Sequence, residues 1–77
     1  MSVQREPLKL TTQNFDITIW EYDNRGYFEH HKFGDNCAGE LWFEAGELYD
    51  YDGVFELPKE VIEAIKNAGF VVDDEDF

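Results

Sequence analysis

Eighteen carboxylates, two histidines and one cysteine are the groups with which this 77-residue chain could do chemistry. General acid–base catalysis needs carboxyl groups whose pKa values are driven apart inside a desolvated cleft, and a chain of this length has little volume for one. His30 and His31 are adjacent. On a strand they point to opposite faces and cannot share a metal ion. Cys37 beside either histidine would be a nucleophile pair, but such a pair needs a third group to orient it, and a half-buried thiol is the simpler expectation. Ser2 is the sole serine, and no glycine-rich phosphate loop is present. Asp50-Tyr51-Asp52-Gly53 has the alternate acids and glycine of a calcium loop. With Gly53 at the sixth position, however, Leu48 occupies the first and Lys59 the twelfth, where carboxylates are required. The expectation is a binding protein with no catalytic residue, no metal site and no cofactor.

The elements that must carry these groups read as one domain spanning the chain, with residues 1–7 a loose leader ending at Pro7. The leader lacks the apolar core of a signal peptide, and no apolar run reaches the roughly 20 residues that span a bilayer. Leu8 to Thr12 suits a short edge strand. Phe15 to Tyr22 is rich in β-branched and aromatic residues and predicts a strand, with Phe15, Ile17 and Ile19 on one face and Asp16, Thr18, Trp20 and Tyr22 on the other. Asp23-Asn24-Arg25-Gly26 predicts a turn with Gly26 at positive φ. Tyr27 to Phe33 returns as the hairpin partner, and 34–39 reads as a loop. Glu40 to Glu44 and Glu47 to Tyr51 predict strands joined by Ala45-Gly46, with Asp52-Gly53 as the next turn. Pro58 opens a helix in which Val61, Ile62, Ile65 and Ala68 form an apolar stripe and Gly69 caps the end. Phe70 to Val72 suits a last short strand, and 73–77 is an acidic tail. The fold class is α+β: a mostly antiparallel sheet of four to five strands with one C-terminal helix packed on a face.

Charge narrows the function further. The formal net charge is -12, which argues strongly against direct nucleic-acid binding and against anionic membrane surfaces, because both depend on Lys and Arg. A lone cysteine forms no intramolecular disulfide and fits a reducing cytoplasm. Between Lys32 and Lys59 no basic residue occurs, yet Asp35, Glu40, Glu44, Glu47, Asp50, Asp52 and Glu56 do. A surface designed for solubility interleaves both signs, so a one-signed stretch predicts a basic partner. Positions two apart on a strand share a face at about 6.6 Å, close to the separation of neighbouring phosphates along a nucleic-acid backbone. Asp50 and Asp52 have this spacing if the strand persists to Asp52, and Glu40 and Glu44 flank Trp42 on the same face of their strand. Trp20, Tyr22 and Trp42 lie among the carboxylates, where rings can stack on arginine. Trp42 is balanced between core and interface, while Tyr27, Phe28, Phe33, Phe43 and Phe55 read as core.

The length, the charge, the carboxylate rows at 40–56 and 73–76 and the ββββα pattern together resemble a class of small acidic proteins of phages and mobile elements. These imitate nucleic acid and disable a basic host protein, and anti-CRISPR proteins are the most numerous of them. The resemblance implies an inhibitor that acts as a DNA mimic in the bacterial host cytoplasm. It would bind a basic nucleic-acid-binding protein or ribonucleoprotein complex, such as a CRISPR effector, and exclude the real ligand. On this reading Glu40, Glu44, Glu47, Asp50 and Asp52 stand in for phosphates, and Trp42, Tyr49 and Tyr51 are packing anchors. Asp73, Asp74, Glu75 and Asp76 form a second acidic contact. Two other readings stay open: an antitoxin or immunity protein that neutralises a basic toxin, and a small protein–protein interaction domain using a sheet edge or Trp20 and Trp42. Either a monomer or a dimer is compatible with the sequence.

Overall fold

A computed structural model describes residues 6–53 and 55–73. Strands β1 (Leu8–Thr11), β2 (Phe15–Trp20), β3 (Arg25–His30), β4 (Gly34–Glu44) and β5 (Glu47–Gly53) form an antiparallel meander. Helix α1 (Lys59–Asn67) then carries the chain back, so that β6 (Val71–Val72) pairs in parallel with β5 at the edge of a six-stranded sheet. The architecture is α+β, as expected, with a mixed rather than purely antiparallel sheet.

Alternation along the strands sends one set of side chains beneath the helix. Phe15, Ile17 and Ile19 of β2, Phe28 of β3, Leu41 and Phe43 of β4 and Leu48 of β5 are buried there, against Val61, Ile62 and Ile65 of α1. Leu57 and Val72 complete this core. The helix stops where the sequence places its stop. Gly69 takes φ +103, its N–H donates to the Lys66 carbonyl at 3.0 Å, and the Phe70 N–H donates to the Ile65 carbonyl at 3.2 Å. That is a Schellman motif, which satisfies carbonyls the helix end would leave open. Ala68 closes the helix as an exposed residue and does not join the buried stripe. Near the other end, Glu60 ties α1 to the β1–β2 turn: it accepts the Asn14 N–H at 2.7 Å, the Asn14 side-chain amide at 3.0 Å and the Thr12 hydroxyl.

Several local expectations are corrected. Residues 34–39 belong to β4, because Ala38 and Gly34 pair with Glu29 and His30 of β3; a partner strand overrides their weak strand propensity. The β2–β3 connection is a 3-10 turn over Glu21–Asp23, and Asn24, not Gly26, takes the left-handed conformation at φ 56. Asparagine tolerates that region. Gly26 is instead a buried β3 residue: a Cβ there would lie 3.2 Å from the Phe43 ring and 3.3 Å from the Thr18 carbonyl oxygen. Phe33 and Phe55, expected in the core, are exposed. The sheet has six strands because Leu8–Thr11 and Val71–Val72 both pair. Among the described residues no helix is long and apolar enough to cross a membrane.

Candidate functional site on the uncovered sheet face

Because α1 covers one side of the sheet, every second residue of the meander faces outward. The register aligns these into cross-strand rows. Trp20, Arg25, Trp42 and Asp50 form one, and Lys9, Thr18, Tyr27, Glu40 and Asp52 form the next. Asp16 and Glu29 oppose each other in a third. Trp20, Trp42 and Tyr27 are half-buried within this face. Trp42 therefore lies away from the helix-covered core, and Tyr27 is not the core residue expected from the sequence.

Strand β5 keeps its acids on this face through a bulge. The partner of Trp42 is Asp50, but the partner of Phe43 is Leu48, so Tyr49 is the extra residue. A bulge shifts the parity of everything beyond it. Glu47, Tyr49, Asp50 and Asp52 are consequently all exposed, while Leu48 and Tyr51 turn inward. Tyr51 is thus a correction. It packs against the core, its ring stacked on Phe28 at 5.8 Å between centroids, and its hydroxyl donates to the Phe55 carbonyl. Burial, followed by the neighbouring Cys37 and Asp52, pushes its phenol above the ordinary 10.0.

The β4–β5 pairing opposes like charges directly. Glu40 faces Asp52, and Glu44 faces Glu47. Directly opposed side chains have Cβ atoms about 5 Å apart, and like charges so placed destabilise a sheet. Glu40 is partly compensated by Arg25, whose guanidinium reaches its carboxylate at 2.8 Å and lies over the Trp42 ring at 5.7 Å from the centroid. On the β3 side the Tyr27 hydroxyl donates to Asp35 at 3.2 Å. Burial, then that hydrogen bond, then the charges of Asp35, Glu29 and Glu40 push its phenol above 10.0.

Of the sequence-predicted contact residues, the sheet brings Glu40, Trp42, Glu44, Glu47, Tyr49, Asp50 and Asp52 together along β4 and β5. Asp73 follows β6, at the far side of β5, and does not join the rows of the open face. Asp74, Glu75 and Asp76 lie outside the described residues. Sequence reasoning missed Arg25, which it assigned to a turn, and did not include Asp16 and Glu29. The alternation of β2 already put Asp16 beside Trp20, and a β3 beginning at Arg25 would have supplied the other two. His30 and His31 do diverge. The His30 Nδ1 accepts from the Lys32 N–H at 3.0 Å, whereas the His31 Nε2 lies 3.2 Å from Asp16.

Comparison of the chain with protein-family models, with curated proteins and with solved structures gave no match.

Proposed function

We propose that this protein is an acidic inhibitor whose uncovered β4–β5 surface occupies a basic, nucleic-acid-binding site on another protein and keeps nucleic acid out. One observation carries the reading: Glu40 opposite Asp52 and Glu44 opposite Glu47, two carboxylate pairs that oppose each other on either side of Trp42. Sheets ordinarily place opposite charges across from each other. An arrangement that costs stability in the free protein becomes favourable when a partner's Lys and Arg side chains enter between the carboxylates. The rigid spacing of the strands presents the charges in fixed order, and Trp42 and Tyr49 offer the ring surface on which arginine stacks. Electrostatic steering would then make association fast and salt-sensitive.

The reading includes a cytoplasmic site of action and a host defence complex, such as a CRISPR effector, as the target class. Asp50→Lys combined with Asp52→Lys tests it. Both positions are exposed, so the double variant should fold with unchanged or higher thermal stability and lose the protein that the wild type captures from bacterial lysate. Capture undiminished in the double variant would remove this face from the account.

A further inference from the structure

The uncovered face contains a recess of about 390 Å³ beside the carboxylate pairs. Its walls include Trp20, Tyr22 and Tyr27, and its charged groups are Asp23, Glu40 and Arg25. Three aromatic side chains with two carboxylates against one guanidinium suit a planar organic cation better than an ammonium. A guanidinium stacks on rings and donates to a carboxylate from its fixed fork, whereas lysine is a compact and strongly hydrated point charge.

The molecule already contains one guanidinium held in this way. Arg25 sits in the row between Trp20 and Trp42, bonded to Glu40 at 2.8 Å and lying over Trp42. It forms one wall of the recess and engages one of its two carboxylates.

We propose that the recess is a subsite for a single arginine side chain of the partner, stacked against Trp20 and Tyr22 with Asp23 and Glu40 as its counter-charges, and that Arg25 is an intramolecular competitor for Glu40. The inference rests on the basic-partner reading above and adds the residue type the partner inserts and the place where it enters. It has a counterintuitive consequence: removing a side chain that touches the site tightens binding, because Glu40 is released and a like charge leaves the wall.

The test uses an oligoarginine peptide and an oligolysine peptide of equal length, titrated into the full chain at low salt and followed by tryptophan fluorescence and calorimetry. Lys9→Ala is the charge-matched control, since it removes one positive charge from the same sheet face without lining the recess. The wild type should favour oligoarginine. Arg25→Ala should tighten oligoarginine by about threefold beyond Lys9→Ala, the scale of one exposed ion pair. Tyr22→Ala, at an exposed position, should erase the preference over oligolysine. Equal affinity for both peptides, or Arg25→Ala no different from Lys9→Ala, overturns the subsite while leaving the basic-partner reading in place. Failure of the wild type to bind either peptide overturns both.

Discussion

Gly39→Ala is the substitution that most sharply tests how the sheet carries its aromatic layer. Gly39 pairs with Gly53 across β4 and β5, and the stacked rings of Phe28 and Tyr51 lie over it. A Cβ at position 39 would meet the Tyr51 ring at 2.5 Å and the Phe28 ring at 3.0 Å. Gly39 is not among the positive-φ residues, so in backbone terms alanine there is unstrained and would ordinarily stabilise by about 0.5 kcal/mol through the unfolded chain. Overpacking opposes this at about 2 kcal/mol. The net is a loss of about 1.5 kcal/mol, which in a domain of this size lowers the melting temperature by about 6–12 °C. Thermal unfolding followed by circular dichroism measures it. In a Tyr51→Ala background the principal obstacle is gone, and the same substitution should cost at least about 1 kcal/mol less. A neutral or stabilising Gly39→Ala, or a cost independent of Tyr51, would refute the packing of this layer.

Other outcomes follow from the same arrangement. Glu47→Lys turns the repulsive Glu44–Glu47 pair into an attractive one and should gain about 1 kcal/mol, seen as a melting temperature about 4–8 °C higher, while weakening partner capture. Glu60 bears on acid stability. Its hydrogen bonds from Thr12 and Asn14 hold the carboxyl below the ordinary 4.5, so its contribution is present above pH 4.5 and is lost as the pH falls through the lower folded-state value. Glu60→Gln should therefore reduce the acid sensitivity of unfolding below pH 4.5, and an unchanged profile would mean the clamp does not form in solution. Tyr51 acts at the alkaline end, where its raised phenol keeps its contribution intact below pH 10 and loses it as the pH rises through the folded value. Tyr51→Phe should remove that part of the loss in denaturant melts.

Period-2 alternation made much of this legible from sequence. It grouped Phe15, Ile17 and Ile19 on one face with Trp20 and Asp16 on the other, the structure makes the first of these the core face, and the helix is marked at both ends by Pro58 and Gly69. What failed was parity and partnership. One extra residue at Tyr49 reverses which side chains of β5 point outward, and nothing local in Glu47–Gly53 announces a bulge; unbroken alternation from Glu47 would turn Tyr49 and Tyr51 outward together and Asp50 and Asp52 inward. Residues 34–39 carry Gly, Asp and Asn, a loop composition, yet the facing strand recruits them into β4. Gly26 looked like the turn glycine, but its role is to leave room for the Phe43 ring. The candidate site was legible as a set of carboxylates. That Glu40 opposes Asp52 and Glu44 opposes Glu47 depends on register, which the sequence alone does not contain.

The most direct test of the central claim is competition on the immobilised protein after it has captured a partner from bacterial lysate. The account predicts release by duplex DNA, and loss of binding that is linear in the logarithm of salt concentration, as expected when a basic groove exchanges carboxylates for phosphates. A partner that stays bound through excess DNA and high salt would contradict it and make the sheet face an ordinary apolar docking surface.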